Sequence, residues 1–168
     1  TINKATYDMS QVVFEDKTVV YNGQKHSITA TNFAEGITAT YENNEQTDVG
    51  TYTVTVKFVG NKNYNTIENK TATLTINKAT YDMSNVNFSD KTVTYNGQAQ
   101  SILATNLPLG VTATYENNEK TDVGEYTVTV SFTGDSKNYN AIEDKTAKLT
   151  IIKASVSGIS FSGKSFTY

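Results

Sequence analysis

The sequence predicts an all-β fold, built as two tandem β-sandwich domains of about 75 residues each and followed by the start of a third repeat. Three observations lead to this prediction. The chain repeats its own sequence, apolar and polar residues alternate with a period of two, and turn residues recur at short intervals. No stretch of helical length carries apolar residues at the spacing of an amphipathic helix.

The internal repeat is long and closely preserved. The string TYDMS at residues 6–10 returns at 80–84. The equivalent tyrosines Tyr21 and Tyr95 are 95 − 21 = 74 residues apart, and one inserted residue near Asp135 raises the offset to 75. Solenoid repeats have periods of roughly 20 to 50 residues, so each copy here is a small domain rather than one solenoid turn.

The repeat divides the chain into three parts. Residues 1–76 form the first predicted domain and residues 77–151 the second. Residues 152–168 begin a third repeat, because FSGKSFTY at 161–168 resembles FSDKTVTY at 88–95. No linker rich in glycine, serine or proline separates the two domains, so we expect limited freedom between them.

Strands are predicted wherever apolar and polar residues alternate. Residues 52–58 place Tyr, Val, Val and Phe on one face and Thr, Thr and Lys on the other. Residues 37–41 and 71–76 follow the same pattern, and threonine, valine and tyrosine all favour strands. We expect about seven short strands per domain, which is typical of a β-sandwich.

Two Asn-Gly pairs predict β-hairpin turns. Asn22-Gly23 lies between two alternating runs in the first repeat, and Asn96-Gly97 lies in the same place in the second. This dipeptide favours the tight turn that joins two antiparallel strands.

A third motif indicates how the two layers are held together. Asp48-x-Gly50-x-Tyr52-x-Val54 has the spacing of the immunoglobulin Asp-x-Gly-x-Tyr-x-Cys corner, with valine in the place of the cysteine. In that corner the tyrosine hydroxyl bonds back to the main chain and fixes the turn. We expect the glycine to supply a backbone φ that other residues resist. The second repeat carries the same motif, at Asp122, Gly124 and Tyr126.

With these motifs in place, the chain resembles the tandem immunoglobulin-like repeats of bacterial surface proteins, in particular the MBG-type domain. The resemblance covers the whole of each unit, and in the first it is carried by the strings YNG at 21–23, VGTY at 49–52, NYN at 63–65 and LTI at 74–76 followed by Lys78-Ala79. It implies an extracellular location on the bacterial cell surface, as part of a large adhesin. It names no catalytic residue and no cofactor.

Composition excludes several classes of protein. The net charge is −3, so the chain has no basic surface of the kind that binds nucleic acid. It has no cysteine, so no disulfide supports its small domains. No apolar run approaches the length of a membrane span, and we therefore expect no membrane insertion of this part of the protein. We expect a monomer.

The residues that could carry chemistry are few. His26 is the only histidine, and Gln100 replaces it in the second repeat, so we predict no enzyme activity, no cofactor and no metal site. The acidic loop at 42–48 has oxygen ligands for Ca²⁺ but lacks the regular spacing of a calcium loop, and we favour a solvated turn. The repeated tyrosines could stack on sugars, although their alternation with threonine favours packing in the core.

A lysine-to-asparagine or lysine-to-aspartate isopeptide bond is a further alternative, because such bonds occur in cysteine-free surface domains. None of the available lysines stands in an inward-facing position within an apolar run, so ordinary surface charge is favoured. These lysines are Lys4, Lys17, Lys70, Lys78, Lys91 and Lys145.

Two functions from different classes follow from the repetition. In the first, the repeats are a structural stalk or spacer that projects a distal binding region. In the second, each repeat binds a host glycan, mucin or matrix protein weakly, and the array gains affinity by multivalency. The neighbouring repeats of the same chain are the partners common to both hypotheses.

Overall fold

The computed structural model describes residues 1–158 and 162–168, and within these ranges it contains strands and turns but no helix. The predicted all-β class and the two tandem repeats are therefore confirmed. The predicted third repeat includes Phe161, which lies outside the described residues, and the described residues 162–168 form no strand.

Each repeat contributes four strands to one sheet. In the first repeat these are β1 (Lys17–Val20), β2 (Thr38–Glu42), β3 (Gly50–Val59) and β4 (Lys70–Asn77). In the second they are β5 (Lys91–Thr94), β6 (Thr112–Glu116), β7 (Gly124–Thr133) and β8 (Lys145–Ile152). The strand orders are β1-β4-β3-β2 and β5-β8-β7-β6, so the two sheets have the same topology.

The sheets are mixed rather than wholly antiparallel. β3 pairs antiparallel with both β2 and β4, whereas β1 pairs parallel with β4. Lys17 at the start of β1 lies opposite Leu74, and Val20 lies opposite Asn77 at the end of β4. The first and last strands of the repeat are thus direct neighbours, and β5 and β8 repeat the arrangement.

The prediction of hairpin turns at Asn22-Gly23 and Asn96-Gly97 is wrong, although both turns exist. The Asn22 side chain accepts a hydrogen bond from the backbone N–H of Gln24 at 2.9 Å, and Gly23 has a φ of 76°. Asn96 and Gly97 repeat these features. The turn nevertheless does not join two paired strands, because β1 takes β4 as its partner. The hydrogen bonds that an Asn-Gly turn favours are local, and they leave the choice of partner strand open.

The expectation of about seven strands is also wrong, since the described residues of each repeat contain four. The segments opposite the sheet make single bridges instead, such as Val13 with Thr31. Local turns interrupt these segments: Asp8 accepts from the N–H of Ser10 at 2.9 Å, and Val12 donates to Met9 at 3.2 Å. A ladder needs consecutive extended residues, so the second layer of the sandwich is largely irregular.

The core of each repeat lies between its sheet and this irregular layer. Val54 and Val56 of β3 and Leu74 and Ile76 of β4 are almost completely buried, as the period of two predicts. Val12, Ala30, Ile37 and Phe58 join Val56 in one cluster, so the irregular segments also bury apolar side chains.

Packing divides the chain into two compact units. Unit 1 comprises Thr1–Tyr81 together with Asp135–Ala141, and unit 2 comprises Asp82–Gly134 together with Ile142–Tyr168. The loop Asp135–Ala141 therefore belongs to the second repeat in sequence and to unit 1 in packing.

Candidate functional site

The Asp-x-Gly-x-Tyr motif forms a tyrosine corner in both repeats. The hydroxyl of Tyr52 donates to the backbone carbonyl of Asp48 at 2.9 Å. Tyr126 donates to the carbonyl of Asp122 at 3.0 Å. Val54, in the place of the immunoglobulin cysteine, is completely buried. The corner lies at the start of β3 and of β7. The immunoglobulin corner likewise lies near the start of a strand, strand F.

The glycine of the motif is required for close approach rather than for its φ. Neither Gly50 nor Gly124 is among the residues with a positive φ, so that expectation is wrong. A Cβ on Gly50 would lie 2.9 Å from the hydroxyl oxygen of Tyr52, and one on Gly124 would lie 3.1 Å from that of Tyr126. The tyrosine ring thus lies directly on the glycine.

In unit 1 the corner also receives a second set of contacts, from the loop Asp135–Ala141. Asn138 is only 5% exposed, and its side-chain oxygen accepts a hydrogen bond from the N–H of Val49 at 2.9 Å. Its amide nitrogen donates to Asp135 at 2.9 Å and to Asp48 at 3.4 Å. Lys137 completes the contact with an ion pair to Asp48. The polar groups of the buried Asn138 side chain are therefore all satisfied.

These contacts shift several ionisation equilibria. The hydrogen bond from Lys137 is the largest cause that holds the pKa of the Asp48 carboxyl below its ordinary value. The same pair raises the pKa of Lys137. The hydrogen bond from Asn138 lowers the pKa of Asp135. Each shift favours the charged form that the contact uses.

Aromatic rings surround this polar centre. Tyr139 stacks on Tyr81 with ring centroids 3.9 Å apart, and it forms a T-shaped pair with Tyr21 at a centroid distance of 5.5 Å. Burial is the largest cause that raises the pKa of Tyr21. Lys78 donates to the carbonyl of Ser136 at 2.6 Å and so holds the loop from its other side.

Sequence reasoning missed this loop as a functional feature. The available signal was the inserted residue near Asp135, which distinguishes the loop from its counterpart at 60–65. An insertion shows where two repeats differ, but it does not show which residues the longer loop contacts.

The remaining candidates have structural partners. His26 pairs through its backbone with Gln46 at 2.8 and 2.9 Å and is half-buried. Its ring Nε2 is buried and has no hydrogen-bond partner among the described residues. In the acidic loop, Asn44 bonds both backbone groups of Ile28 at 2.9 and 3.0 Å. Within residues 1–158 and 162–168, no group of three or more His, Cys, Asp or Glu side chains is placed to hold a metal ion.

Four of the six candidate isopeptide lysines contact main-chain oxygens. Carbonyl groups accept hydrogen bonds from the side chains of Lys17, Lys70, Lys78 and Lys91. Several tyrosines also have internal partners: Tyr41 accepts from the N–H of Ala30 at 2.9 Å, and Tyr7 stacks on Tyr64 at 3.8 Å.

Two mixed four-stranded sheets, each with a tyrosine corner, define a tandem immunoglobulin-like repeat protein. The model of the MBG domain family matches the chain twice, at residues 10–80 and 84–155. The chain belongs to the MBG domain family. Among curated proteins, no sequence matches it. In the part of the chain that the structure describes, no helix has the length and apolar character needed to cross a membrane.

Several solved structures of multidomain proteins are similar to the chain. Drosophila N-cadherin EC1-4 is 14% identical with a TM-score of 0.31, over 91% of this chain and 50% of that one. The human Desmocollin-1 ectodomain is 12% identical with a TM-score of 0.33, over 85% and 42%. Sidekick-1 immunoglobulin domains 1-4 are 16% identical with a TM-score of 0.27, over 89% and 51%. The chain thus spans about half or less of the length of each.

Proposed function

We propose that the two MBG repeats are non-catalytic spacers of a bacterial cell-surface or secreted adhesin, where they project a distal binding region and resist pulling. The adhesin context and the extracellular location come from the family resemblance. The absence of cysteine and the use of tyrosine hydroxyls and stacked rings in internal contacts are compatible with such a role. The observation that carries the proposal is the parallel pairing of the terminal strands.

The direction of this pairing determines how a repeat responds to tension. Tension on the chain reaches β1 at Lys17 and leaves β4 at Asn77, which are opposite ends of one parallel ladder. The two strands must then slide past each other, so all the hydrogen bonds of the ladder are loaded together. In an antiparallel terminal pair pulled from one end, the bonds would open one after another.

The side chains behind the ladder add to this resistance. Leu74 and Ile76 of β4 are almost completely buried, and the half-buried Val19 of β1 packs against the same cluster. Sliding would expose this apolar surface to water, at a free-energy cost of about 25 cal/mol per Å² of exposed area. The same residue types recur in β5 and β8 as Val93, Leu149 and Ile151.

A proline substitution in β1 tests the proposal. Tyr21 donates its N–H to Asn77 at 2.9 Å, and donors alternate along a strand, so the N–H of Val19 faces β4 and that of Thr18 faces away. Val19→Pro should remove a ladder hydrogen bond worth about 1 kcal/mol and accelerate forced unfolding of the first repeat about fivefold. Single-molecule force spectroscopy of the whole chain measures this effect.

Two controls accompany the measurement. Thr18→Pro introduces the same ring at the solvent-facing edge, where proline is tolerated, and should leave the unfolding force much closer to that of the unmodified chain. The second repeat of the same molecule serves as an internal reference. Equal weakening by both prolines would contradict the shear argument. Binding of the chain to a glycan array, with stronger binding by forms that carry more repeats, would favour recognition over spacing.

A further inference from the structure

The surface that receives the loop Asp135–Ala141 in unit 1 has a counterpart in unit 2. Tyr21, Asp48 and Val49 are half-buried in unit 1, where the loop contacts them. Their equivalents Tyr95, Asp122 and Val123 are exposed in unit 2, Tyr95 by 41% and Val123 by 44%. We call these three residues the unit 2 acceptor. The underlying corner is the same, because Tyr126 bonds Asp122 as Tyr52 bonds Asp48.

The loop also has a counterpart, formed by residues 60–65 of the first repeat. Its Tyr64 stacks on Tyr7 at 3.8 Å, as Tyr139 stacks on Tyr81 at 3.9 Å. The Tyr7 hydroxyl accepts from the N–H of Asn61 at 3.3 Å, as the Tyr81 hydroxyl accepts from Asp135 at 2.9 Å. The loop shape thus depends on contacts at its own base, and it forms even where its tip has no contact like that of Asn138.

Exposure at the loop tips supports this comparison. Asn63 is exposed, whereas the equivalent Asn138 is buried against Val49. An asparagine, a lysine and a tyrosine recur at the tip of both loops, and an aspartate, a backbone N–H and a tyrosine ring recur on both acceptors. One loop and one acceptor are joined in unit 1, whereas the three residues of the unit 2 acceptor are exposed within residues 1–158 and 162–168.

We propose that the unit 2 acceptor is the docking site for the Lys-Asn-Tyr loop of a following MBG repeat. The lysine pairs with Asp122, the asparagine oxygen accepts from the N–H of Val123, and the tyrosine ring meets Tyr95. This inference goes beyond the spacer role, since it names a partner for a surface and does not depend on resistance to pulling.

Asp135, which stands next to the inserted residue, identifies the type of loop that fits. Asp135 accepts from the side-chain nitrogen of Asn138 at 2.9 Å and so orients the amide toward Val49. In the shorter loop Asn61 stands in its place, and its side chain accepts from the N–H of Asn63 at 2.8 Å. The expected occupant is therefore a loop of the longer type, with the sequence Gly-Asp-Ser-Lys-Asn-Tyr. An aspartate supplies two oxygen acceptors at this position, where asparagine supplies one.

The proposed contact between loop and acceptor is small, so we expect it to form only when both belong to the same polypeptide chain. One buried asparagine, one exposed ion pair and one aromatic pair provide a modest free energy. A neighbour in the same chain presents its loop at a high effective concentration, which a separate molecule does not. The test therefore requires a chain with three repeats.

The experiment compares the chain with an extended form. Residues 1–152 are followed by a second copy of residues 78–152, which preserves the register because Ile152 is equivalent to Asn77. The measurement is amide hydrogen exchange at Val123 by NMR. The new hydrogen bond should slow this exchange about tenfold, toward the rate at Val49. Exchange in the buried strands of the added copy verifies that it is folded.

Matched asparagine substitutions make the result specific. In the extended chain, alanine at the position of the added copy that is equivalent to Asn138 should return exchange at Val123 to its original rate. Asn63→Ala, in the loop without a partner, should leave Val123 unchanged. The proposal is overturned if Val123 exchanges equally fast in both chains while Val49 stays protected and the added copy is folded.

Discussion

At the scale of single residues, the tyrosine corner explains why two of its positions depend on each other. The ring of Tyr52 lies on Gly50, and its hydroxyl reaches the carbonyl of Asp48 at 2.9 Å. A side chain at Gly50 and the hydroxyl bond cannot coexist without movement, because the added Cβ would lie 2.9 Å from the ring. The motif therefore combines a spacing in sequence with a steric requirement.

We expect Gly50→Ala to destabilise the first repeat by about 1 kcal/mol, because displacing the ring breaks the Tyr52 hydrogen bond. Chemical denaturation measures the loss. Gly163→Ala is the control, since a Cβ there meets no atom within 4 Å. The double variant Gly50→Ala/Tyr52→Phe should lose less free energy of unfolding than the sum of the two single-variant losses, since both substitutions remove the same hydrogen bond. Full additivity would contradict this explanation.

At the scale of the strand, alternation in β3 determines where a substitution matters. Val56 is completely buried, whereas Val59, three residues further along the same strand, is 59% exposed. The two valines thus share a strand and differ in their environment. Because these patterns are local, the sequence predicted strands at β2, β3 and β4 correctly.

Val56→Ala should destabilise the first repeat by about 2 kcal/mol, through lost burial and the cavity left behind. Val59→Ala removes the same atoms from an exposed position and should change the free energy of unfolding by less than about 0.5 kcal/mol. Thermal or chemical unfolding of both variants provides the comparison. Equal effects would show that position on the strand does not govern the cost.

The pairing of the strands was less accessible to sequence reasoning. Lys17 lies opposite Leu74, 57 residues away along the chain (74 − 17), and no local preference connects them. The Asn-Gly turn after β1 indicated a change of direction, and that part was correct. The partner strand was predicted wrongly, because β1 pairs with β4 and not with the segment after the turn. The choice of partner depends on which strands pack on the same core. The sequence thus predicted three of the four strands of the first repeat and the hydrogen bond of the corner, but neither the number of strands nor the parallel edge.

At the scale of the whole molecule, the loop Asp135–Ala141 shows that repeats in sequence and units in packing are different divisions of the chain. Sequence identity between the repeats gave no sign of this, since the acceptor residues occur in both. What distinguishes Val49 from Val123 is the presence of Asn138 beside it. Such a difference depends on neighbours and is absent from any single repeat.

The loop contact should depend on pH in a defined direction. The pKa of Asp48 is lowered from 3.8, so its contribution is present at higher pH and is lost as the pH falls through the shifted value. The pKa of Lys137 is raised from 10.5, so its contribution is present at lower pH and is lost as the pH rises through the shifted value. Protection of the Val49 amide, corrected for intrinsic exchange, should be greatest between these limits. Asp48→Asn should reduce the acid limb, and the remaining part should belong to Asp135, whose pKa the hydrogen bond from Asn138 also lowers. An acid limb that is unchanged in Asp48→Asn would contradict a role for Asp48.

The parallel edge of each repeat has a consequence for synthesis. β1 leaves the ribosome first and must wait for β4 before its ladder can form, so each repeat closes only when its last strand appears. KTV begins both β1 and β5, and LTI occurs in both β4 and β8, so each first strand could pair equally well with the last strand of the other repeat. During refolding from denaturant, where all strands are present together, such exchanged pairings compete with the native ones. Synthesis from the N-terminus removes this competition, because the first repeat is complete before β8, the last strand of the second repeat, has been made.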